Sequence, residues 1–164
     1  MPNVFDPDFN STEEKPGFTV RDSWIGMQAG CERLGASLYE LPPGEAMCPY
    51  HAHLANEEML LVIAGTPSLR TPEGWRELVE GEVVAFPVGQ RGAHQVQNRS
   101  GAPARVLMVS EMIGPEVALY PDSGKVLARE RPPGRAADGT LRKIFRAADE
   151  VDYWEGESAP ADAS

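Results

Sequence analysis

Short runs of apolar residues broken at close intervals by glycine and proline run along most of this chain, and no long stretch carries a helical period. Phe18 to Ile25 has the β-branched and aromatic content of a short strand, and Gly26 to Gly30 reads as a turn. Leu34 to Leu41 reads as a strand stopped by Pro42-Pro43-Gly44. Further strand-like segments are His51–His53, Glu58–Ala64, Ser68–Thr71, Arg76–Val79, Glu82–Phe86, His94–Asn98 and Ala104–Glu111. Between them lie Gly65-Thr66-Pro67, Pro72-Glu73-Gly74, Gly81, Pro87-Val88-Gly89, Gly92 and Ser100 to Pro103. Thr71-Pro72-Glu73-Gly74 suits a hairpin turn, with Pro at its second position and Gly later. Turns this frequent fit an antiparallel sandwich or barrel rather than alternating strands and helices. The pattern predicts an all-β core over residues 18–112.

The flanks read differently. Residues 1–17, rich in Asp, Asn, Pro and Glu, are expected to form an irregular arm. Residues 113–154 are expected to be a C-terminal extension, partly irregular, packed on the barrel. Within it Tyr120 to Lys125 reads as an ordered loop and Arg129 to Gly139 as a basic, flexible one. Leu141 to Tyr153 carries enough apolar residues to dock, and Ala147 to Glu150 suits a helical turn. Residues 155–164 read as a disordered tail.

Composition narrows the function. Across 164 residues, 41% are hydrophobic and 24% charged, ordinary values for one globular domain. Lys and Arg number 15 against 25 Asp and Glu, a net charge of −10. That balance argues against nucleic acid or an anionic membrane as partner. The longest apolar run, Met59 to Ala64, is too short to span a bilayer. The first residues lack a basic region followed by an apolar one, so a cytoplasmic protein is expected. There, Cys31 and Cys48 are expected as thiols rather than a bridge.

The chain has three histidines, His51, His53 and His94. On a strand, residues i and i+2 face the same side, so His51 and His53 can aim at one point. His94 lies in a second strand-like segment. Cys48, three residues before His51, is a weaker candidate as a soft ligand.

Two segments resemble the paired motifs of the cupin superfamily, small antiparallel β-barrels. In the first, Gly44 precedes His51-x-His53, four residues lead to Glu58, and Met59–Ala64 supplies six before Gly65. In the second, Gly81 is followed by Pro87-x-Gly89, His94 and Asn98. The departures are one extra residue before His51 and four residues between Gly89 and His94, which lengthen turns and leave strand parity intact. The likeness extends to small single-domain bacterial cupins loosely described as sugar-phosphate-isomerase-like. They share Pro49–His53, Glu57–Met59, Phe86–Gly89, Gly92–His94, Tyr120–Lys125 and Tyr153-Trp154.

The resemblance implies an antiparallel double-stranded β-helix, a jelly roll. It assigns His51, His53, Glu58 and His94 as ligands of one divalent transition metal: Fe, Mn, Ni, Cu or Zn. Glu57 is the rival carboxylate; the six-residue spacing to Gly65 favours Glu58, with Leu60, Val62 and Ala64 on its face. Asn98 is expected to finish a strand, and Trp24, Trp75 and Trp154 to pack. Tyr50, Arg91 and Lys125 are candidate substrate-binding residues, and Asp122 and Ser123 suit a turn. Arg70 and Arg105 join Arg91 and Lys125 as cations near enough in sequence to consider for a phosphate. The implied function is a metal-dependent enzyme on a sugar phosphate or organic acid, of isomerase or dioxygenase type. The alternative is a non-catalytic binding or sensing module with a structural metal. A homodimer is expected, with residues 1–41 supplying an exchanged arm.

Overall fold

The computed structural model describes residues 1–131 and 141–158. Most of the 129–139 segment expected as a loop and residues 159–164 of the expected tail lie outside the described residues. The chain folds as two facing layers of antiparallel strands. They are β1 (Ser11–Glu13), β2 (Val20–Ser23), β3 (Leu34–Leu41), β4 (Ala52–His53), β5 (Glu58–Ala64), β6 (Ser68–Thr71) and β7 (Gly74–Glu77). There follow β8 (Val83–Phe86), β9 (Gln95–Gln97), β10 (Ala104–Glu111), β11 (Glu116–Tyr120), β12 (Lys125–Arg129) and β13 (Arg142–Arg146). The Gly26–Gly30 turn is helical in part, a single turn, α1, over Ile25–Gln28.

One sheet has the order β1-β2-β3-β10-β5-β8, and its centre is an unbroken eight-residue pairing of β3 with β10. The other layer is built from β13-β12-β11-β4 and β7-β6-β9, joined by an isolated bridge between His51 and His94. Between the layers Leu41, Leu60, Leu69, Leu78, Val62, Val96 and Val106 are wholly or almost wholly removed from solvent. Burying each such side chain is worth about 1.5–3 kcal/mol, so this cluster dominates the drive to fold. The alternation on β5 follows from it: Leu60 and Val62 face the core with Glu58, while Met59 is exposed.

Both flanks are more regular than their composition suggests. The arm contributes β1, an edge strand paired with β2, and Phe9 is covered by Arg21 at 4.3 Å. Glu40 holds Arg21 at 3.0 Å and Arg105 at 2.8 Å, fixing the arm's base to the central strands. The C-terminal extension, expected as partly irregular and packed on the barrel, contributes strands: β11 pairs directly with β4, and β12 and β13 continue that sheet. Tyr120 to Lys125 is the hairpin turn joining β11 to β12. The apolar residues expected to dock do not. Ile144 and Phe145 on β13, and Val151, Tyr153 and Trp154 beyond it, stay exposed, because the strand is held through its backbone at a sheet edge. Among the described residues no helix is long and apolar enough to cross a membrane.

Candidate metal centre

The site is built where the two layers meet. His51 and His94 face each other as an antiparallel pair, His51 N–H donating to the His94 carbonyl at 3.1 Å and His94 N–H to that of His51 at 2.8 Å. A pair so bonded puts both side chains on one face. His53 lies two residues on, pairs with Ala118 of β11, and shares the face. Glu58 opens β5 in the opposite sheet and reaches across. His51 Nε2 lies 3.0 Å from His53 Nε2, and Glu58 Oε2 lies 3.3 Å from His53 Nε2 and 3.4 Å from His94 Nε2.

Each ring is oriented from behind. The Nδ1–H of His51 donates to the Pro49 carbonyl at 2.9 Å, and that of His94 to the Gly92 carbonyl at 3.0 Å. Those bonds leave each Nε2 lone pair directed into the barrel, the arrangement metal-binding imidazoles require. His53 has Glu116 behind it, Oε2 lying 3.6 Å from Nδ1. Phe86 stacks on His94 with centroids 3.9 Å apart, fixing the ring plane.

Among the described residues His94 Nε2 and Glu58 Oε2 are buried with no hydrogen-bond partner, an expensive state for polar atoms unless something binds them. Three imidazole nitrogens and a carboxylate suit a divalent transition ion. The tightest group is His51, His53 and Glu58, whose ligand atoms all lie within 4.8 Å of one another. His94 adjoins this group, its ring centroid 4.7 Å from that of His51 and 6.4 Å from that of His53, with its Nε2 3.4 Å from Glu58.

Electrostatics sorts the histidines. Burial, reinforced by the other two rings, drives His51 down to about 3, and burial also lowers His94. Burial pushes His53 down too, but Glu116 and Glu58 together outweigh it and lift His53 to about 9. Burial raises Glu58, but the neighbouring imidazoles, His53 first, pull it net below the usual carboxylate range. Cys48 Sγ is 3.6 Å from His51 Nδ1, on the side of the ring away from the ligand nitrogen, and burial pushes the thiol up to about 12. It is not bridged to Cys31.

A cavity of about 490 Å³ opens from this cluster toward the N-terminal segment. His51, His53 and Glu58 line it, with Tyr39, Tyr120, Leu127 and Arg129 among the walls and Glu13, Asp22, Trp24 and Glu111 among the rest of the lining. Glu57, the residue before β5, is exposed, its amide donating to Glu111 at 3.1 Å.

The three candidate substrate-binding residues do not line this cavity. Tyr50 neighbours His51 and so points away from it, under the Arg70 guanidinium at 4.1 Å. Arg70 is held bidentately by Asp122 at 2.6 and 2.9 Å. Arg91 is exposed on a 3₁₀ turn, Gln90–Gly92, and Lys125 sits at the hairpin end with its ammonium 5.5 Å from the Tyr120 ring. Asn98 closes a strand as expected, donating to the Leu41 and Ala102 carbonyls at 2.8 Å. Trp24 departs from a pure packing role by lining the cavity while its indole donates to Asp22.

Glu116, Arg129, Tyr39 and Tyr120 went unassigned in the sequence. The signal for the first two was a hairpin, Tyr120-Pro121-Asp122-Ser123-Gly124-Lys125 flanked by β-rich runs on both sides.

Residues 37–110 match the cupin domain family. A sugar phosphate isomerase of the cupin superfamily from Silicibacter pomeroyi has a similar structure, with TM-score 0.75 and 24% identity over 91% of this chain and 94% of that one. A proposed sugar phosphate isomerase from Acidithiobacillus ferrooxidans gives 0.74 and 23% over 86% of each. The polyketide cyclase RemF from Streptomyces resistomycificus gives 0.52 and 23% over 62% of this chain and 72% of that one. No curated protein matches. Identities this low carry the fold and not the chemistry. The family match, the two-layered barrel and the histidines at its seam agree on a cupin domain over residues 37–110.

Proposed function

We propose that this protein is a metal-dependent enzyme acting on a small polar metabolite, with isomerase chemistry ahead of dioxygenase chemistry. The observation that carries this reading is the cluster of His51, His53 and Glu58, with His94 beside it, opening onto a cavity of about 490 Å³. That volume suits a small metabolite. A divalent ion held by these four residues would polarise a carbonyl or hydroxyl oxygen of the substrate.

The chain's own residues supply the rest. Burial raises the Tyr39 and Tyr120 hydroxyls, so both keep their protons at neutral pH and can donate to substrate oxygens. Glu13, Asp22 and Glu111 share the cavity, so an acceptor for a substrate proton is within it. Met47, Met108 and Leu127 add apolar surface to its wall. Proton donors and acceptors in one cavity favour isomerisation over dioxygen chemistry, which asks little of surrounding side chains. Two similar barrels described as sugar phosphate isomerases lend this reading support.

The test is turnover by metal-loaded protein on sugar phosphates, hydroxy acids and catechols, with and without dioxygen. Metal-dependent conversion of a sugar phosphate, indifferent to dioxygen, is expected. Tight ligand binding with no metal-dependent turnover would contradict the proposal and leave a binding module with a structural metal.

A further inference from the structure

The four cations considered for a phosphate are all engaged or turned away. Arg70 is paired with Asp122 and Arg105 with Glu40, while Arg91 and Lys125 do not line the cavity. The cation that does line it is Arg129, on the same cavity wall as Leu127 and Tyr120. Its strand partner across the β11–β12 ladder is Glu116, which puts both side chains on the inward face.

Glu116 does not neutralise it. Oε1 accepts the amides of Leu54 and Ala55 at 3.2 and 3.3 Å, and Oε2 accepts from Asn56 and faces His53. Glu58 faces His53 and His94 within the proposed metal cluster, at 3.3 and 3.4 Å. Among the described residues Arg129 Nε is buried without a hydrogen-bond partner. A guanidinium cannot shed its charge, and Arg129, only partly exposed, holds a buried Nε that an anion in the cavity would complete. Its fork of donors matches phosphate and carboxylate oxygens. The acidic groups lining the same cavity do not compete for it. Asp22 is bonded to Trp24, Glu111 accepts the Glu57 amide, and Glu13 pairs with Lys15.

We propose that Arg129 anchors an anionic group, phosphate or carboxylate, of the small molecule that enters this cavity. The inference rests on the cavity being the ligand site, as in the function proposed above, but not on the metal. With the anion at Arg129 and His51, His53 and Glu58 lining the same cavity, the uncharged part of the ligand faces the histidines.

The test is calorimetric titration of the full chain, stripped of metal, with inorganic phosphate, succinate and neutral fructose. The wild type is expected to bind one of the anions and not fructose, and which anion wins separates a phosphate ester from an organic acid. Arg129→Gln should weaken that binding about tenfold to a hundredfold, and Arg129→Lys should restore part of it. If Arg129→Gln does not fold, Arg129→Lys carries the test, because loss of the fork alone should weaken binding several-fold. Metal content should be unchanged in the folded variants. Equal anion binding by wild type and variants, equal affinity for fructose, or no anion bound by the wild type would overturn the proposal. Because the titrations use metal-free protein, a native protein found without metal would sink the proposed enzyme and leave this result standing.

Discussion

His53 gives the site a proton balance that can be measured. Its carboxylate neighbours hold the metal-free imidazole at about 9, while His51 is driven to about 3 and His94 is also lowered. A metal takes only the neutral ring, so at pH 7 loading the site must expel the His53 proton and none from the other two. Two pH units separate 7 from that value, so apparent affinity at pH 7 should be about a hundredfold weaker than above pH 9. Affinity should rise about tenfold per pH unit from 7 toward 9 and then level. The metal-free fold has the opposite slope. A pKa raised from 6.5 to about 9 stabilises the folded state fully below 6.5, and that contribution, on the order of 3 kcal/mol, is lost as pH rises through 9. Calorimetric titration with Mn(II) or Zn(II) in buffers of differing ionisation enthalpy counts the protons. About one released per ion at pH 7 is expected. A count near zero, or an affinity flat from pH 7 to 9, would refute the assignment of His53 as the protonated ligand.

Other consequences follow from the residues behind the ligands. Glu116→Ala strands the amides of Leu54 and Ala55 and the Asn56 side chain, so denaturant melts should show a loss of about 3–5 kcal/mol. The milder Glu116→Gln should keep the fold and weaken metal binding at least about tenfold in competition with a chelator. Gly92→Ala would place a Cβ 1.8 Å from the Pro87 carbonyl oxygen, on the turn that supplies the carbonyl behind His94. The turn must move, and both melting temperature and metal content should fall; an unchanged melting curve would show that the turn adapts. A homodimer is the expected assembly, read by light scattering at micromolar concentration, and the open, exposed edge of β13 is a second surface for it besides the arm. A monomer there would contradict it.

The barrel was legible because its residues obey local rules. Glu58–Ala64 and Ala104–Glu111 alternate around buried leucines and valines, and glycine or proline ends each run. The ligand cluster was legible because strand parity alone sets His51 and His53 on one face. What escaped depended on distance along the chain. Glu116 meets His53 only because β11 pairs with β4, a contact between segments some sixty residues apart that no local pattern encodes. Arg129 follows from the same pairing at one further strand. The candidate cations failed for the same reason: Arg70 and Arg105 pair with Asp122 and Glu40, carboxylates distant along the chain, and a cation already paired is not free for a ligand.

The central claim is that His51, His53, Glu58 and His94 hold a transition metal. Elemental analysis of protein purified without chelator or affinity metal tests it most directly. The wild type and Glu57→Ala should carry about one divalent transition ion per chain, and His51→Ala, His94→Ala and Glu58→Ala far less. A wild type without metal, or a Glu58→Ala that keeps its metal while Glu57→Ala loses it, would contradict the account.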